Sequence, residues 1–98
     1  MNVAVCTLTI RLPENHSLKG KRQVIHSITA RLQNRFRVSA AEVDGLGLWQ
    51  MSTIGIASVS NRADHAQETV DAVIRFVVQN YPEVELIDSR VEVFPVLQ

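Results

Sequence analysis

Positively charged side chains are concentrated in one part of this 98-residue chain. Seven of its ten Lys and Arg residues lie between Arg11 and Arg37, where Glu14 is the only acid, so this segment carries a net charge of +6. The other residues carry −6, and the whole chain is neutral. Clustered cations attract phosphate-rich surfaces, so the chemistry that this segment predicts is the binding of an anion.

The other residue types that perform chemistry form no recognisable set. His16, His26 and His65 are expected on a loop and on two different helices, without the spacing of metal ligands or of an acid–base pair. Cys6 is the only cysteine, and its apolar strand predicts a buried thiol. Asp44 lies where a hairpin turn is expected, and a carboxylate there is ordinary turn chemistry. We therefore expect no metal, no cofactor and no catalytic function.

The spacing of apolar residues predicts six elements in the order βαββαβ. Period-2 alternation and β-forming residues predict four strands, at Val3 to Leu12, Val38 to Val43, Trp49 to Val59 and Val84 to Phe94. Helical spacing predicts a first helix from about 18 to 36, capped by Ser17, and a second that ends near Asn80 and is capped by Ser60 or Asn61.

This order predicts one α+β domain over residues 1–98. Two right-handed βαβ crossovers onto one sheet give a ferredoxin-like sandwich, in which an antiparallel four-stranded sheet carries both helices on one face. The longest apolar runs are far shorter than the roughly 20 residues of a membrane span. The first residues lack the basic region of a secretory signal, so we expect a cytoplasmic protein that is not bound to a membrane.

Basic residues lie along both borders of the apolar stripe of the first helix, when residues are placed at 100° intervals. The candidate anion-binding residues are Ser17, Lys19, Lys21, Arg22, Arg31 and Arg35. They predict either a cationic surface that contacts RNA phosphates, or a solvated face partly paired with the acidic second helix. Lys21 falls on the core-facing side and either snorkels or points at an anion near the helix N-terminus, which makes residues 17–22 the best candidate anion site.

The only tryptophan, Trp49, is predicted where the hairpin enters the third strand, next to Gln50. An exposed Trp49 would form, with Gln50, a contact for a partner, because Trp is enriched at binding hot spots. The alternative is a plug over the open end of the core, and we take this second interpretation as the expectation.

The uncovered face of the sheet is expected to be mildly apolar, without aromatic residues on its central strands. Stacking of RNA bases on the sheet, as in RNA recognition motifs, is therefore not expected. Burial of this face in a sheet-to-sheet homodimer accounts for its composition, and a face that stays in contact with water is the alternative. The predicted dimer face comprises Val5, Thr7, Met51, Thr53 and Ala57.

A set of short stretches in a fixed order adds a family resemblance. The stretches are Ser17-Leu18-Lys19, Lys21-Arg22, Ala41 to Asp44, Leu48-Trp49-Gln50, Val59-Ser60-Asn61, His65-Ala66 and Tyr81 to Glu85. Together they resemble a bacterial family called domain of unknown function 503, or YlxP-like proteins. The resemblance implies a ferredoxin-like fold and no established activity. The genes of the family often neighbour those of a translation initiation factor and a ribosome-binding factor, which implies by association a role near ribosome maturation or translation.

Two hypotheses of function follow. The first is a non-catalytic module that binds RNA or a ribosomal particle through the basic helix, as a homodimer. The second is a protein-interaction or small-ligand regulatory module that assembles through the open sheet face. Enzymes and metal carriers of the same fold are not favoured, because the loop at 13–16 has no glycine-rich phosphate cradle and the chain has no Cys-x-x-Cys pair.

Overall fold

A computed structural model describes all 98 residues and contains the six predicted elements in the predicted order. They are β1 (Asn2–Arg11), α1 (Leu18–Arg35), β2 (Ser39–Asp44), β3 (Met51–Ser60), α2 (Ala63–Asn80) and β4 (Glu85–Pro95). The strands form one antiparallel sheet in the order β2-β3-β1-β4, so that the first and third strands are central. The ferredoxin-like α+β sandwich is confirmed.

The core lies between one face of the sheet and the two helices. Alternate residues from Ala4 to Ile10 in β1, and Leu12 just after it, are buried, whereas the residues between them are more accessible, as the period-2 pattern predicts. Ile28 from α1 and Val70 from α2 are fully buried in the same cluster. The opposite face of the sheet has no covering layer. Neither helix combines the length and the hydropathy needed to cross a bilayer.

Most boundaries lie within one residue of the predicted ones, and two differ further for local reasons. The N-cap of α2 is Arg62 rather than Ser60 or Asn61, because the Ser60 hydroxyl accepts a hydrogen bond from the Arg62 N–H (3.1 Å) before the helix begins. β3 begins at Met51, two residues later than expected. The carbonyl oxygen of Trp49 is bound instead by the side chain of Asn15, at 2.6 Å.

A buried ion pair connects α1 to the hairpin formed by β2 and β3. The side chain of Lys21 is fully buried, and its Nζ lies 3.0 Å from Oε2 of Glu42. The same ammonium donates to the carbonyl oxygens of Gly45 (2.5 Å) and Met51 (3.1 Å), and Ser52 Oγ donates to Glu42 Oε2 at 2.7 Å. Each buried charge therefore has an opposite charge and further hydrogen bonds, as a charge needs in a low-dielectric interior.

The prediction that Lys21 contacts an external anion is wrong. Its ammonium is enclosed by protein, and the anion that it binds is Glu42, a residue of this chain. Lys21 does not snorkel to solvent either, because no part of its side chain is exposed.

Replacement of Lys21 by methionine should destabilise the fold strongly. The Glu42 carboxylate and two carbonyl groups would lose their partner, and breaking a buried pair from one side costs about 3–5 kcal/mol. We expect the free energy of unfolding of Lys21→Met, measured by urea denaturation, to fall by about 3 kcal/mol. The matched control Lys19→Met removes an exposed ammonium from the same helix and should change it by less than about 0.5 kcal/mol. Equal effects of the two substitutions would contradict a stabilising role of the buried Lys21–Glu42 pair.

The Cys6 thiol is buried in β1, as expected. Loss of hydration on burial, together with the charge of Asp71, raises the pKa of Cys6 from 9.0 to about 11. A raised pKa favours the protonated form, so the stability that this thiol contributes is complete below about pH 9 and is lost as the pH rises towards 11.

Thiol labelling should therefore report unfolding. At pH 8 only about 0.1% of a thiol with this pKa is thiolate, the reactive form. We expect an aromatic disulfide reagent to modify native Cys6 orders of magnitude more slowly than urea-unfolded Cys6, as followed by absorbance. Similar rates in the two states would show that the thiol is accessible and ionised in the folded protein.

Candidate functional site

The first turn of α1 is organised by Ser17 and Asn15. Ser17 is the N-cap, and its Oγ accepts a hydrogen bond from the Gly20 N–H at 2.9 Å, as predicted. Asn15 Nδ2 donates to the carbonyl oxygen of Ser17 (2.7 Å) and also to that of Trp49 (2.6 Å). One side-chain amide thus holds the start of the helix next to the loop at 45–50.

Four of the predicted anion-binding residues are exposed along the two borders of the apolar stripe of α1, Lys19 and Arg22 on one border and Arg31 and Arg35 on the opposite one. Together we call them the α1 cation row. From Lys19 to Arg35 the row extends about 24 Å along the helix axis. Lys19 and Arg22 are neighbours at its first end, and Arg31 and Arg35 are neighbours at its second end, so the structure brings the predicted residues together in two pairs.

The acidic second helix does not neutralise this row. The four ion pairs of the structure are Arg11–Glu85, Lys21–Glu42, Arg62–Asp64 and Arg90–Asp88, and none includes a member of the row. The expectation that α1 is paired with α2 through salt bridges is therefore wrong.

Two of the three acids of α2, Asp64 and Asp71, are engaged on or beside α2 itself, and Glu68 has no such partner. Arg62 binds both carboxylate oxygens of Asp64, and this hydrogen-bonded pair holds the pKa of Asp64 below its usual range. Asp71 accepts a hydrogen bond from Gln67 Nε2 at 3.0 Å. These contacts stay on one helix, which leaves the cations of α1 available to an outside anion.

Aromatic rings rather than acids position the second end of the row. The Arg31 guanidinium carbon lies 5.0 Å from the centroid of the Phe76 ring and 5.3 Å from that of Tyr81. Arg35 lies 5.2 Å from the Phe76 centroid, and Arg31 Nη1 donates to Tyr81 Oη at 3.2 Å. A ring face attracts a cation without cancelling its charge, so both guanidinium groups keep free donors. Sequence spacing could not show this contact, because it depends on how the two helices lie side by side.

The loop between β2 and β3 exposes three large apolar side chains, which we call the apolar loop. They are Leu46, Leu48 and Trp49, with relative exposures of 58%, 54% and 56%. Trp49 is not part of the core cluster, so its interpretation as a plug is wrong. The signal in the sequence was the low polarity of this turn.

Gln50, predicted to contact a partner together with Trp49, has its side chain directed to the protein itself. Its Nε2 donates to the carbonyl oxygens of Asn15 (3.0 Å) and Pro13 (3.4 Å). Gln50 therefore contributes by holding the loop, and Trp49 is the exposed member of the predicted pair.

The residues of the predicted dimer face all lie on the uncovered side of the sheet and are partly exposed. They are Val5, Thr7, Met51, Thr53 and Ala57. Val43 from β2 covers Gly55, where an added Cβ would meet a Val43 methyl group at 2.8 Å. Phe94 lies on the outer strand opposite Val3 and is 40% exposed, so the central strands carry no aromatic residue, as expected.

A polar cleft of about 570 Å³ lies between the end of α1 and the start of α2. Arg35, Arg37, Ser60 and His65 are among its lining residues, and Glu68 also faces it. No sequence pattern indicates this cleft, because it is created by the placement of the two helices against β3. It adds Arg37 to the cations at the second end of α1.

Comparison with known proteins agrees with the predicted resemblance. A protein from Bacillus subtilis (strain 168), described as uncharacterised protein YlxP, is 37% identical over 78 residues, which are 80% of this chain and 84% of that protein. A family model described as a protein of unknown function (DUF503) matches residues 3–91. With nearly the whole chain matched, this protein belongs to the DUF503 family.

Proposed function

We propose that this chain is a non-catalytic module that binds structured RNA, free or within a ribonucleoprotein particle, through the α1 cation row. The observation that carries the proposal is that Lys19, Arg22, Arg31 and Arg35 are exposed along one helix and none has an acidic partner. Cations without partners bind phosphate oxygens without first breaking an internal ion pair.

The geometry of the row suits a phosphate backbone. Its two pairs of cations lie on opposite borders of the apolar stripe and about 14 Å apart along α1, from Arg22 to Arg31, so they would contact phosphates on two separate segments of a folded RNA. Arg31 and Arg35 are already oriented by the aromatic rings, which reduces the side-chain entropy lost on binding. Contacts of this kind add affinity and little sequence preference.

The family resemblance narrows the partner. Genes of the family often neighbour those of a translation initiation factor and a ribosome-binding factor, and this association supports a ribosomal RNA as the partner. A role in the cytoplasm, near ribosome maturation, is part of the same proposal. The proposed function requires no catalytic residue, because a positioning or assembly factor needs contacts with RNA and no reactive group.

Reversal of charge along α1 should abolish the electrostatic part of binding. Each lost phosphate contact reduces the magnitude of the slope of log affinity against log salt concentration by about 1. Lys19→Glu, Arg22→Glu and Arg35→Glu together should therefore reduce it by about 3. We expect this triple variant to bind a ribosomal RNA fragment at least ~100-fold more weakly near 50 mM salt, as measured by fluorescence anisotropy.

The chain supplies a control with the same change in net charge. Arg62, Arg75 and Arg90 are exposed arginines outside α1, and their replacement by Glu should leave most of the affinity intact. Circular dichroism would establish that both variants are folded. If both triple variants lose affinity equally, or if wild-type affinity is insensitive to salt, α1 is not the RNA-binding surface.

Assembly through the open sheet face is the second candidate function. The small and apolar residues on the central strands are bordered on β4 by Asp88, Arg90 and Glu92, whose charges alternate in sign. A two-fold axis through such a face would bring the apolar centres together. This arrangement favours a second copy of the chain as the partner.

A lysine at the centre of this face should prevent such a dimer. We expect the wild-type protein to sediment with twice the mass of the 11.0-kDa chain, and Thr53→Lys to sediment as a monomer, because burying an unpaired ammonium is costly. Gln79→Lys, on the exposed end of α2, is the control and should remain dimeric. A wild-type monomer, or a dimer of Thr53→Lys, would exclude this interface.

A further inference from the structure

The apolar loop is held in place by contacts that do not involve its exposed side chains. Gly45 begins the turn with φ +76°, which favours glycine, and its carbonyl oxygen accepts from the Leu48 N–H at 3.0 Å. Lys21 Nζ contacts the carbonyl oxygens of Gly45 and Leu46, and Asn15 binds that of Trp49. These contacts fix the backbone of the loop from the protein side, while the side chains of Leu46, Leu48 and Trp49 remain exposed to solvent. Such preorganisation lowers the entropy lost when a ligand binds.

The loop lies beside the first end of the α1 cation row. Asn15 Nδ2 donates to both Ser17 and Trp49, so the tryptophan backbone is adjacent to the first turn of α1. Lys19 lies in that turn and Arg22 one turn further along the helix. A flat aromatic ring and two cations without acidic partners therefore occupy the same end of the molecule.

This combination matches the two chemical parts of a nucleotide. A phosphate is satisfied by Lys19 or Arg22, and the face of a base stacks on an exposed indole, a contact whose loss costs about 1–3 kcal/mol. The carboxylates nearby are largely engaged internally, since Glu42 pairs with Lys21 and Asp44 accepts from the Gly45 N–H at 2.8 Å. Glu14 and Asp44 are the exposed acids of this end, and neither forms an ion pair with Lys19 or Arg22. Lys19 and Arg22 therefore remain available to the phosphate of a nucleotide.

We infer that the RNA recognised by this chain presents an unpaired base that stacks on Trp49, while Lys19 and Arg22 contact the adjoining phosphates. The inference rests on the proposed RNA-binding function and names the class of RNA, one with a loop, bulge or single-stranded end. A base inside a duplex is stacked on its neighbours and has no free face, so a perfectly paired helix would contact the cation row alone.

Trp49 is the only tryptophan, so its fluorescence reports this contact directly. The experiment titrates the full chain with an RNA stem that is closed by a six-nucleotide loop, and with a blunt duplex of the same stem. We expect saturable quenching of Trp49 by the stem–loop and little quenching by the duplex, while anisotropy of labelled RNA detects binding of both.

Substitutions separate the ring from the rest of the surface. Trp49→Ala should weaken binding of the stem–loop by about 5- to 150-fold and leave binding of the duplex unchanged. Trp49→Phe retains a ring and should recover part of the loss. Phe94→Ala removes an exposed aromatic side chain from the other face of the molecule and should have no effect on either RNA.

The outcomes distinguish this inference from the proposed function. Both RNAs could bind with the expected dependence on salt while Trp49 fluorescence does not change and Trp49→Ala binds as tightly as the wild type. The inferred stacking contact is then wrong, and RNA binding through α1 remains supported. In that case the apolar loop is left as a contact for a protein. If neither RNA binds, both proposals are wrong.

Discussion

The buried pair of Lys21 and Glu42 is the constraint on which the arrangement of the binding surface depends. A charge from the first helix and a charge from an edge strand meet inside the protein, and the carbonyl groups of the intervening turn complete their hydrogen bonds. Because separating the two charges would leave each without its partner, this contact holds the start of α1 against the hairpin and its turn. The Lys21–Glu42 contact thus fixes the position of the exposed basic residues relative to Trp49, although the side chains of these residues take no part in it.

The two helices use their charges differently, and this difference gives α1 its proposed role. Asp64 and Asp71 on α2 are bound by neighbours on or beside the same helix, whereas arginines of α1 lie against aromatic rings. Ring contacts orient a guanidinium group and leave its charge in place. A surface salt bridge across the helices would have given only about 0–1 kcal/mol of stability and would have masked the same cations.

The fold was predictable because its signals are local. The alternation in β1 and the helical spacing around Ile28 specify which side of each element faces the core, and Ser17 marks the helix start. The candidate site was only partly predictable, because its decisive contacts join distant residues. Lys21 was recognised as core-facing, but its partner lies on another element, 21 positions away. The exposure of Trp49 likewise depends on Asn15, which binds its backbone from a different loop.

The opposite charges of the two parts of the chain have a consequence for encounters in solution. At physiological ionic strength the Debye length is about 8 Å, and the protein measures 46 × 23 × 21 Å, so an approaching polyanion senses only the nearest part of the surface. Zero net charge does not prevent attraction at that range. The uneven distribution of charge instead exerts a torque that turns α1 towards the polyanion before contact. Orientation is then selected during the approach, and acidic residues elsewhere on the surface oppose binding through those parts.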